Sequence, residues 1–294
     1  MFKNKFNKSD YLPSDLPRTR RAQFKDIIFS NFGMFLLIGL CLLVFALLYF
    51  AISIFGTYFL GYIKSSMEAK GSSEVAISDS IKLYKNLIRV IRILAFVVFA
   101  IGLSGVGRIV RELGFSNGVL FKQDFFRGIK QNIKNYVIIA VLLGLLLFLI
   151  ELFQDILLNN IAKAPALILS GIAFGILFIV ILPINMYMLS SSTIYDMGFI
   201  PNFINCSKLY IKNLFWSILF SLLPIGIKFL DFIPYLYIRL TIIAIIIFIL
   251  LPIYIMIWHL FCLSNFDKYF NEKYYPEIYK KGLYLEDKKE EPLL

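Results

Sequence analysis

Charged residues at the ends of long apolar stretches are the residues of this sequence whose types and spacing could do chemistry. Glu151 and Asp155 are four residues apart and Lys228 and Asp231 are three apart, so each pair would share one face of a helix. A charge in apolar surroundings is costly and is usually paired or placed at a polar cavity. The pattern therefore indicates either a polar vestibule for a solute or partner, or side chains that extend from helix ends to water. The candidate outer cluster comprises Arg89, Arg92, Glu151, Asp155, Lys228 and Asp231.

Residue types that carry catalysis are scarce and scattered. The single histidine, His259, has Ile255 and Leu263 at the neighbouring helical positions, which favours a packing or interfacial role over proton relay or metal binding. The three cysteines do not cluster, and no glycine-rich loop could hold a nucleotide phosphate. Since acids, histidines and activated nucleophiles do not gather in the sequence, we predict a protein that is not an enzyme and needs no metal or cofactor.

The composition places these residues in a membrane protein. Of the 294 residues, 59% are apolar, and the mean hydropathy is +0.77, whereas a soluble domain is closer to half apolar. The net charge of +11 suggests either a nucleic-acid partner or basic loops that face anionic lipid. The basic residues lie beside apolar stretches, which favours the second interpretation. We therefore predict a bilayer with anionic lipids as a partner, and no nucleic acid.

About six apolar stretches approach the ~20 residues that a helix needs to cross the hydrocarbon. The segment from 64 to 85 is rich in Ser, Gly and Lys, and we predict that it is an external loop. The loops assigned to the cytoplasm contain 21 Lys and Arg residues and the opposite side contains nine, so both termini are expected in the cytoplasm. The sequence thus predicts an all-α polytopic membrane protein. Its six predicted spans are 34–62, 87–110, 136–153, 165–189, 214–230 and 237–263.

A repeated basic, amphipathic segment precedes two of these spans. Phe121, Phe125, Ile129 and Ile133 recur every four residues, and charged or polar residues occupy the opposite face. The spacing recurs from Phe199 and, more faintly, before the first span. We therefore predict three transmembrane hairpins, each preceded by a cytoplasmic interfacial helix, or elbow. The elbow residues singled out are Phe121, Phe125, Arg127, Lys130 and Lys134.

These elements divide the chain into three parts. Residues 1–33 form a basic cytoplasmic arm with the first elbow, 34–263 the six-helix membrane domain, and 264–294 a charged, solvated cytoplasmic tail. Within the membrane domain, Gly171 and Gly175 form a small-xxx-small pair. Such a pair lets two helix backbones approach closely, either within one chain or between two, and we favour packing within the chain.

The strongest resemblance to a known family lies in residues 107–135. Here the run Asp124-Phe125-Phe126-Arg127-Gly128-Ile129-Lys130-Gln131-Asn132-Ile133-Lys134 resembles the elbow of the YesL-like bacterial membrane proteins, a domain family of unknown function. Residues 16–20 also resemble the arm of longer relatives. The family has no established catalytic residues, and its genes often lie beside those of carbohydrate ABC transporters. The resemblance therefore implies a protein of the bacterial plasma membrane that accompanies sugar uptake.

Two functions remain open at this point. The first is an accessory membrane protein without enzymatic activity, associated with an ABC transporter or another membrane protein in carbohydrate uptake. The alternative is a small-solute transporter or channel in its own right. A permease of an ABC importer is disfavoured because the sequence lacks a Glu-Ala-Ala-type coupling loop.

Overall fold

The structure is a computed structural model that describes residues 16–161, 163–228, 230 and 233–284, without the side chains of 163 and 223–229. All regular elements in this part of the chain are helical. The first four are α1 (Arg20–Ser30), α2 (Phe32–Ala69), α3 (Glu74–Gly114) and α4 (Phe121–Asn160). Helices α5 (Lys163–Ile176) and α6 (Leu182–Ser192) follow, joined by a π-helical segment, Leu177–Ile181. The rest are α7 (Phe199–Lys212), α8 (Leu214–Lys228), α9 (Leu236–Ile245), α10 (Leu251–Phe266) and α11 (Glu272–Tyr274), with π-helical segments Ile246–Leu250 and Asp267–Asn271 and a short 3₁₀ turn, Pro276–Ile278.

Five helical runs in the described residues are long and apolar enough to cross a membrane. They are Phe32–Ala69, Glu74–Gly114, Phe121–Asn160, Ala164–Ser192 and Leu236–Tyr274. The predicted fifth span, 214–230, corresponds to α8, of which the structure describes 15 residues, Leu214–Lys228. The prediction of several helices that are long and apolar enough to cross a membrane is confirmed. The predicted number of six is not confirmed, because only five of the described helical runs meet this criterion.

The segment from 64 to 85, predicted to be a loop, is mostly helical. Helix α2 continues to Ala69 and α3 begins at Glu74, where the Ser73 hydroxyl accepts a hydrogen bond from the backbone N–H of Ala76. The hydroxyl thereby caps the helix start. A turn containing Gly71, with a φ of +70°, is all that separates the two helices. The loop prediction was wrong because low hydropathy marks the end of a membrane span and does not mark the end of a helix.

The elbow before α4 differs from the prediction in a similar way. Residues 121–134 form the first turns of the continuous 40-residue helix α4 and do not make a separate interfacial helix. One buried face continues from this segment into the span and packs along α3, so the same packing stabilises a single continuous helix. The residues of this face are Phe125, Gly128, Asn132 and Tyr136. By contrast, α1 and α7 are separate from the helices that follow, with breaks at Asn31 and Asn213.

Proline explains two of the three π-helical segments. Leu177–Ile181 lies just before Pro183, and Ile246–Leu250 lies just before Pro252. A proline lacks the backbone N–H and clashes with the carbonyl of the preceding turn, so the hydrogen-bond ladder must shift locally. In both apolar runs the π-helical segment therefore ends directly before a Leu-Pro-Ile sequence.

The two described chain ends meet at one end of the bundle, which we call the terminal end. The backbone N–H of Tyr284 donates to the carbonyl of Pro17 over 3.1 Å. The Gln23 amide donates to the carbonyls of Gly114 and Gly282 over 2.9 and 3.1 Å. Residues 264–284, predicted to be a solvated tail, therefore pack on the bundle, while 285–294 and 1–15 lie outside the described residues.

Candidate functional site

At the opposite end of the bundle, the distal end, α3 and α4 bring charged side chains together. The two helices run antiparallel, so the N-terminal part of α3 lies beside the C-terminal part of α4. On α3 the cations repeat every three or four residues, and on α4 the two acids are four residues apart, so each set projects from one face. This distal ion cluster comprises Lys85, Arg89, Arg92, Glu151 and Asp155.

Arg89 lies at the centre of the cluster. Its Nε is 2.8 Å from Glu151 Oε2, and its Nη1 is 2.6 Å from Asp155 Oδ2. Each carboxylate also meets a second cation, since Lys85 Nζ is 3.1 Å from Asp155 and Arg92 Nη1 is 3.3 Å from Glu151. Three cations thus share two anions, and every carboxylate is held from two sides.

Burial falls steeply from the centre of the cluster to its edge. The Arg89 side chain is 7% exposed, whereas that of Lys85 is 44% exposed. A buried ion pair contributes little net stability against an apolar pair, but removing one partner leaves an uncompensated buried charge, which costs about 3–5 kcal/mol. Arg89 therefore fixes α3 against α4, while Lys85 is free enough to contact a solute.

A cavity of about 550 Å³ opens beside this cluster. Asp155 and Lys85 contribute to it, together with the ends of α2 and the start of α3. Its charged and amide groups of mixed sign could hydrogen-bond a small polar molecule, but none of them is a nucleophile paired with a base. The remaining polar lining residues are Lys64, Glu68, Glu74, Ser78, Lys82 and Asn159.

Two members of the predicted outer cluster cannot be placed with the others. Asp231 and the side chain of Lys228 lie outside the described residues. The other four, Arg89, Arg92, Glu151 and Asp155, are brought together, and Lys85 joins them although the sequence interpretation had assigned it to a loop. Within the described chain, no group of three His, Cys, Asp or Glu side chains could hold a metal ion.

The elbow residues fall on two faces of α4. Phe125 is 5% exposed and stacks on Phe121, and its ring fills the space that a side chain at Gly105 would need. Arg127, Lys130 and Lys134 are exposed. The amphipathic pattern is present, but its apolar face packs on the bundle.

A second polar network, at the terminal end, was missed. Arg108 Nε lies 3.4 Å from Asp124 Oδ1, which joins α3 to the start of α4. Arg111 donates to the carbonyl of Thr193 over 2.6 Å and pairs with Glu112. The sequence interpretation counted Arg108 and Arg111 only as loop cations. Glu112 lies four residues after Arg108, a helical spacing that indicates an ion pair. Asp124, which lies 16 residues after Arg108, is the second acid that could pair with it.

A separate group of polar contacts at the terminal end joins the two chain ends through Asp267. Its carboxylate is 2.7 Å from Arg20 Nη2 and accepts hydrogen bonds from the Asn271 side chain and the Lys280 backbone over 2.8 and 3.0 Å. His259, 3% exposed, is buried where α10 faces Gly114. Among the described residues, the buried nitrogens without a hydrogen-bond partner are Arg20 Nε, Arg111 Nε, Trp258 Nε1 and His259 Nε2.

Two titratable groups between the membrane spans are inert at neutral pH. Burial raises the pKa of the Cys206 thiol to about 12. Burial also raises the pKa of Tyr195 far above its usual range, with a further contribution from the nearby Asp267 charge. Neither group can therefore act as an anionic nucleophile or base here.

Comparison with protein-family models, with curated proteins and with solved structures finds no match for this chain.

Proposed function

We propose that this chain is an accessory protein of the bacterial plasma membrane, without enzymatic activity, that crosses the bilayer six times and acts by binding another membrane protein. The multi-pass helical architecture supports the membrane part of this proposal.

The meeting of the chain ends supports six crossings with both ends on one side. Arg20 and Asp267 pair at the terminal end, which favours an even number of passes of the chain along the bundle between them. Five runs are long enough by themselves, which leaves α8 as the sixth. Its 15 described residues span about 22 Å, and the next helix begins at the distal end, where Tyr237 hydrogen-bonds Tyr58.

The observation that carries the association is the open small-residue face of α5. No described atom lies within 4 Å of a Cβ placed at Gly171 or Gly175. In contrast, a Cβ at Gly102 or Gly105 would lie within 2.7 Å of a phenylalanine ring. None of the described residues therefore packs closely against Gly171 or Gly175, contrary to the expectation that this pair packs within the chain.

Large apolar residues border the same stripe. Ile168 and Ile172 are 64% and 56% exposed, and they lie on the α5 face that Gly171 and Gly175 share. Glycines flanked by isoleucines give a shallow groove into which a second transmembrane helix can pack closely. A lipid-facing helix needs no such groove. The α5 groove, Ile168 to Gly175, is thus the contact surface that we assign to the partner.

The partner class follows from the resemblance to the YesL-like family. That resemblance points to a carbohydrate ABC transporter, whose permease subunits have transmembrane helices that could occupy the α5 groove. The proposal therefore places this protein beside sugar uptake, with the substrate bound by the transporter.

The test compares two glycine variants of the full chain in its native membrane. Gly171→Leu with Gly175→Leu fills the α5 groove, while Gly61→Leu adds one side chain at another open helical glycine. After extraction in mild detergent, the wild type and Gly61→Leu should co-purify with permease and ATPase subunits, and the double variant should lose them. Equal recovery from all three proteins would contradict the proposal, and recovery of only a second copy would replace the partner by a homodimer.

A transporter remains the second candidate, because the distal cavity could admit a small polar solute. Deeper between α3, α4 and the α5–α6 run, a cavity of about 180 Å³ is lined by apolar side chains and Tyr136, whose hydroxyl already donates to the Leu189 carbonyl. A polar solute would find no partner there. Uptake of labelled sugar into liposomes that contain only this chain would favour the transporter over the accessory protein.

A further inference from the structure

A third cavity, at the terminal end, belongs to neither of the sites above. It has a volume of about 550 Å³ and lies between α7 and the segment after α10. Buried Cys206, Leu209 and Phe266 form its floor. Lysines and tyrosines form its walls, so we call it the Lys–Tyr cavity. Its polar lining residues are Ser191, Tyr195, Asn205, Lys208, Lys212, Tyr269, Tyr274 and Tyr275.

The charge of this cavity is positive and uncompensated within the described chain. Lys208 and Lys212 are one helical turn apart on α7, a spacing at which like charges repel. Lys212 Nζ lies 4.6 Å from the centre of the Tyr269 ring, and Lys268 Nζ lies 5.2 Å from it. Among the described residues, no carboxylate lines the cavity, and none of the three lysines, all of them exposed, forms an ion pair. An anion would relieve this repulsion.

Hydrogen-bond donors accompany the charge. The Tyr195 hydroxyl is engaged, since it donates to Asn271. The hydroxyls of Tyr269 and Tyr275 make no hydrogen bond with any residue that the structure describes. Ammonium groups and phenolic hydroxyls together match the oxygens of a phosphate group, which accepts several charge-assisted hydrogen bonds.

The outer surface of α7 provides a place for acyl chains beside the cavity. Ile200, Ile204 and Ile211 are 69%, 46% and 69% exposed and lie on one side of the helix, while Cys206 and Leu209 face inward. Lys208 and Lys212 project between these two sides, toward the cavity. An amphipathic helix of this kind lies at the boundary between headgroups and acyl chains.

We propose that the Lys–Tyr cavity binds a phosphate group, with Lys208 and Lys212 as its charged ligands and Tyr269 as a hydroxyl donor. The phosphate belongs to the headgroup of an anionic lipid or to a soluble phosphate ester. Basic pockets between helices at a membrane face commonly hold such headgroups. The acyl-facing side of α7 makes the lipid the better match.

The experiment titrates the full-length protein in uncharged detergent with short-chain phosphatidylglycerol, phosphatidylcholine, glycerol phosphate and inorganic phosphate. Binding is followed by calorimetry. The wild type should bind phosphatidylglycerol at least about tenfold more tightly than phosphatidylcholine. Lys208→Gln with Lys212→Gln should lower the affinity for phosphatidylglycerol about tenfold or more, since each lysine near an anionic surface strengthens binding several-fold. The matched control is Lys122→Gln with Lys130→Gln, which removes the same charge from exposed positions on α4.

The ligands separate the two sources of phosphate. Tight binding of phosphatidylglycerol alone assigns the cavity to lipid, and equally tight binding of glycerol phosphate or inorganic phosphate assigns it to a soluble ester. Lys268→Gln provides an independent variant with an expected smaller loss. The proposal is overturned if both lysine pairs weaken binding equally, or if the wild type binds none of the three anionic ligands more tightly than the zwitterionic phosphatidylcholine.

Discussion

The guanidinium of Arg89 on α3 lies 2.6 Å from the carboxylate of Asp155 on α4, at the distal end of the bundle. On the same helix, Arg108 pairs with Asp124 of α4 at the terminal end. The two arginines are about 28 Å apart along an α-helix, close to the ~30 Å thickness of the hydrocarbon. Ion pairs thus tie α3 to α4 at both ends of the apolar segment that the two helices share.

Arg89→Ala should destabilise the protein strongly. The substitution leaves Glu151 and Asp155 each with one remaining cation in a partly desolvated site, so we expect a loss in the free energy of unfolding at the lower end of the range for a broken buried pair, about 3 kcal/mol. SDS-induced unfolding in mixed micelles measures this loss. Lys82→Ala is the control, because Lys82 and its partner Asp79 are 52% and 68% exposed, and such pairs contribute about 0–1 kcal/mol. Equal losses would show that the distal ion cluster does not hold the helices together.

Phe125→Asp should be far more harmful than Gln123→Asp. Phe125 is 5% exposed and packs on Gly105, whereas Gln123 is exposed on the other side of α4. Removing a buried phenylalanine costs about 3–5 kcal/mol even when alanine replaces it, and a carboxylate adds its desolvation cost. Expression level and melting temperature after membrane extraction report the difference. Similar values for both variants would mean that this face of α4 is not packed.

Gly39 and Gly61 on α2 should respond oppositely to alanine. A Cβ at Gly39 would collide with the backbone carbonyl of Phe248 in the π-helical segment before Pro252. We expect Gly39→Ala to cost about 1–3 kcal/mol. Gly61 has open space, so Gly61→Ala should gain about 0.5–1 kcal/mol from helix propensity. Thermal unfolding, monitored by tryptophan fluorescence, distinguishes the two variants. A gain in stability from Gly39→Ala would contradict the close approach of α2 to Phe248.

The features predicted correctly from the sequence are those that depend on a single helix. Apolar length predicts membrane-spanning helices, because unpaired backbone groups are too costly in lipid. The i,i+4 spacing correctly placed Glu151 and Asp155 on one face, while their pairing with Arg89 needed the contact between α3 and α4. The loop at 64–85 and the separate elbow at 121–134 were wrong because hydropathy reports the surroundings of a helix and not its ends.

Other features depend on contacts across most of the chain. Arg20 and Asp267 are 247 residues apart, and nothing local in either segment indicates that they pair. The empty face of Gly171 and Gly175 is likewise a property of the packed bundle, since the same motif would also suit packing within the chain.

Asp267→Ala should release the segment that follows α10. The carboxylate holds Arg20, the Asn271 side chain and the Lys280 backbone together. Its loss leaves Arg20 without its carboxylate, and local opening should let a protease reach the backbone at Lys280 and Lys281. Limited trypsin digestion should cleave this variant at Lys280–Lys281 several-fold faster than the wild type. Glu277→Ala, at an exposed position nearby, should digest like the wild type, and equally slow cleavage of Asp267→Ala would show that the carboxylate does not anchor the segment.

The most direct test of the six-crossing architecture uses topology reporters. Fusions after Asn160 and after Leu294 are read by alkaline phosphatase, active outside the cytoplasm, and by green fluorescent protein, fluorescent inside it. In the proposed architecture three crossings precede Asn160, and the pairing of Arg20 with Asp267 supports placing the two described chain ends on one side. We therefore expect phosphatase activity after Asn160 and fluorescence after Leu294. The same reporter response at both positions would contradict six crossings and would mean that α8 does not cross the membrane.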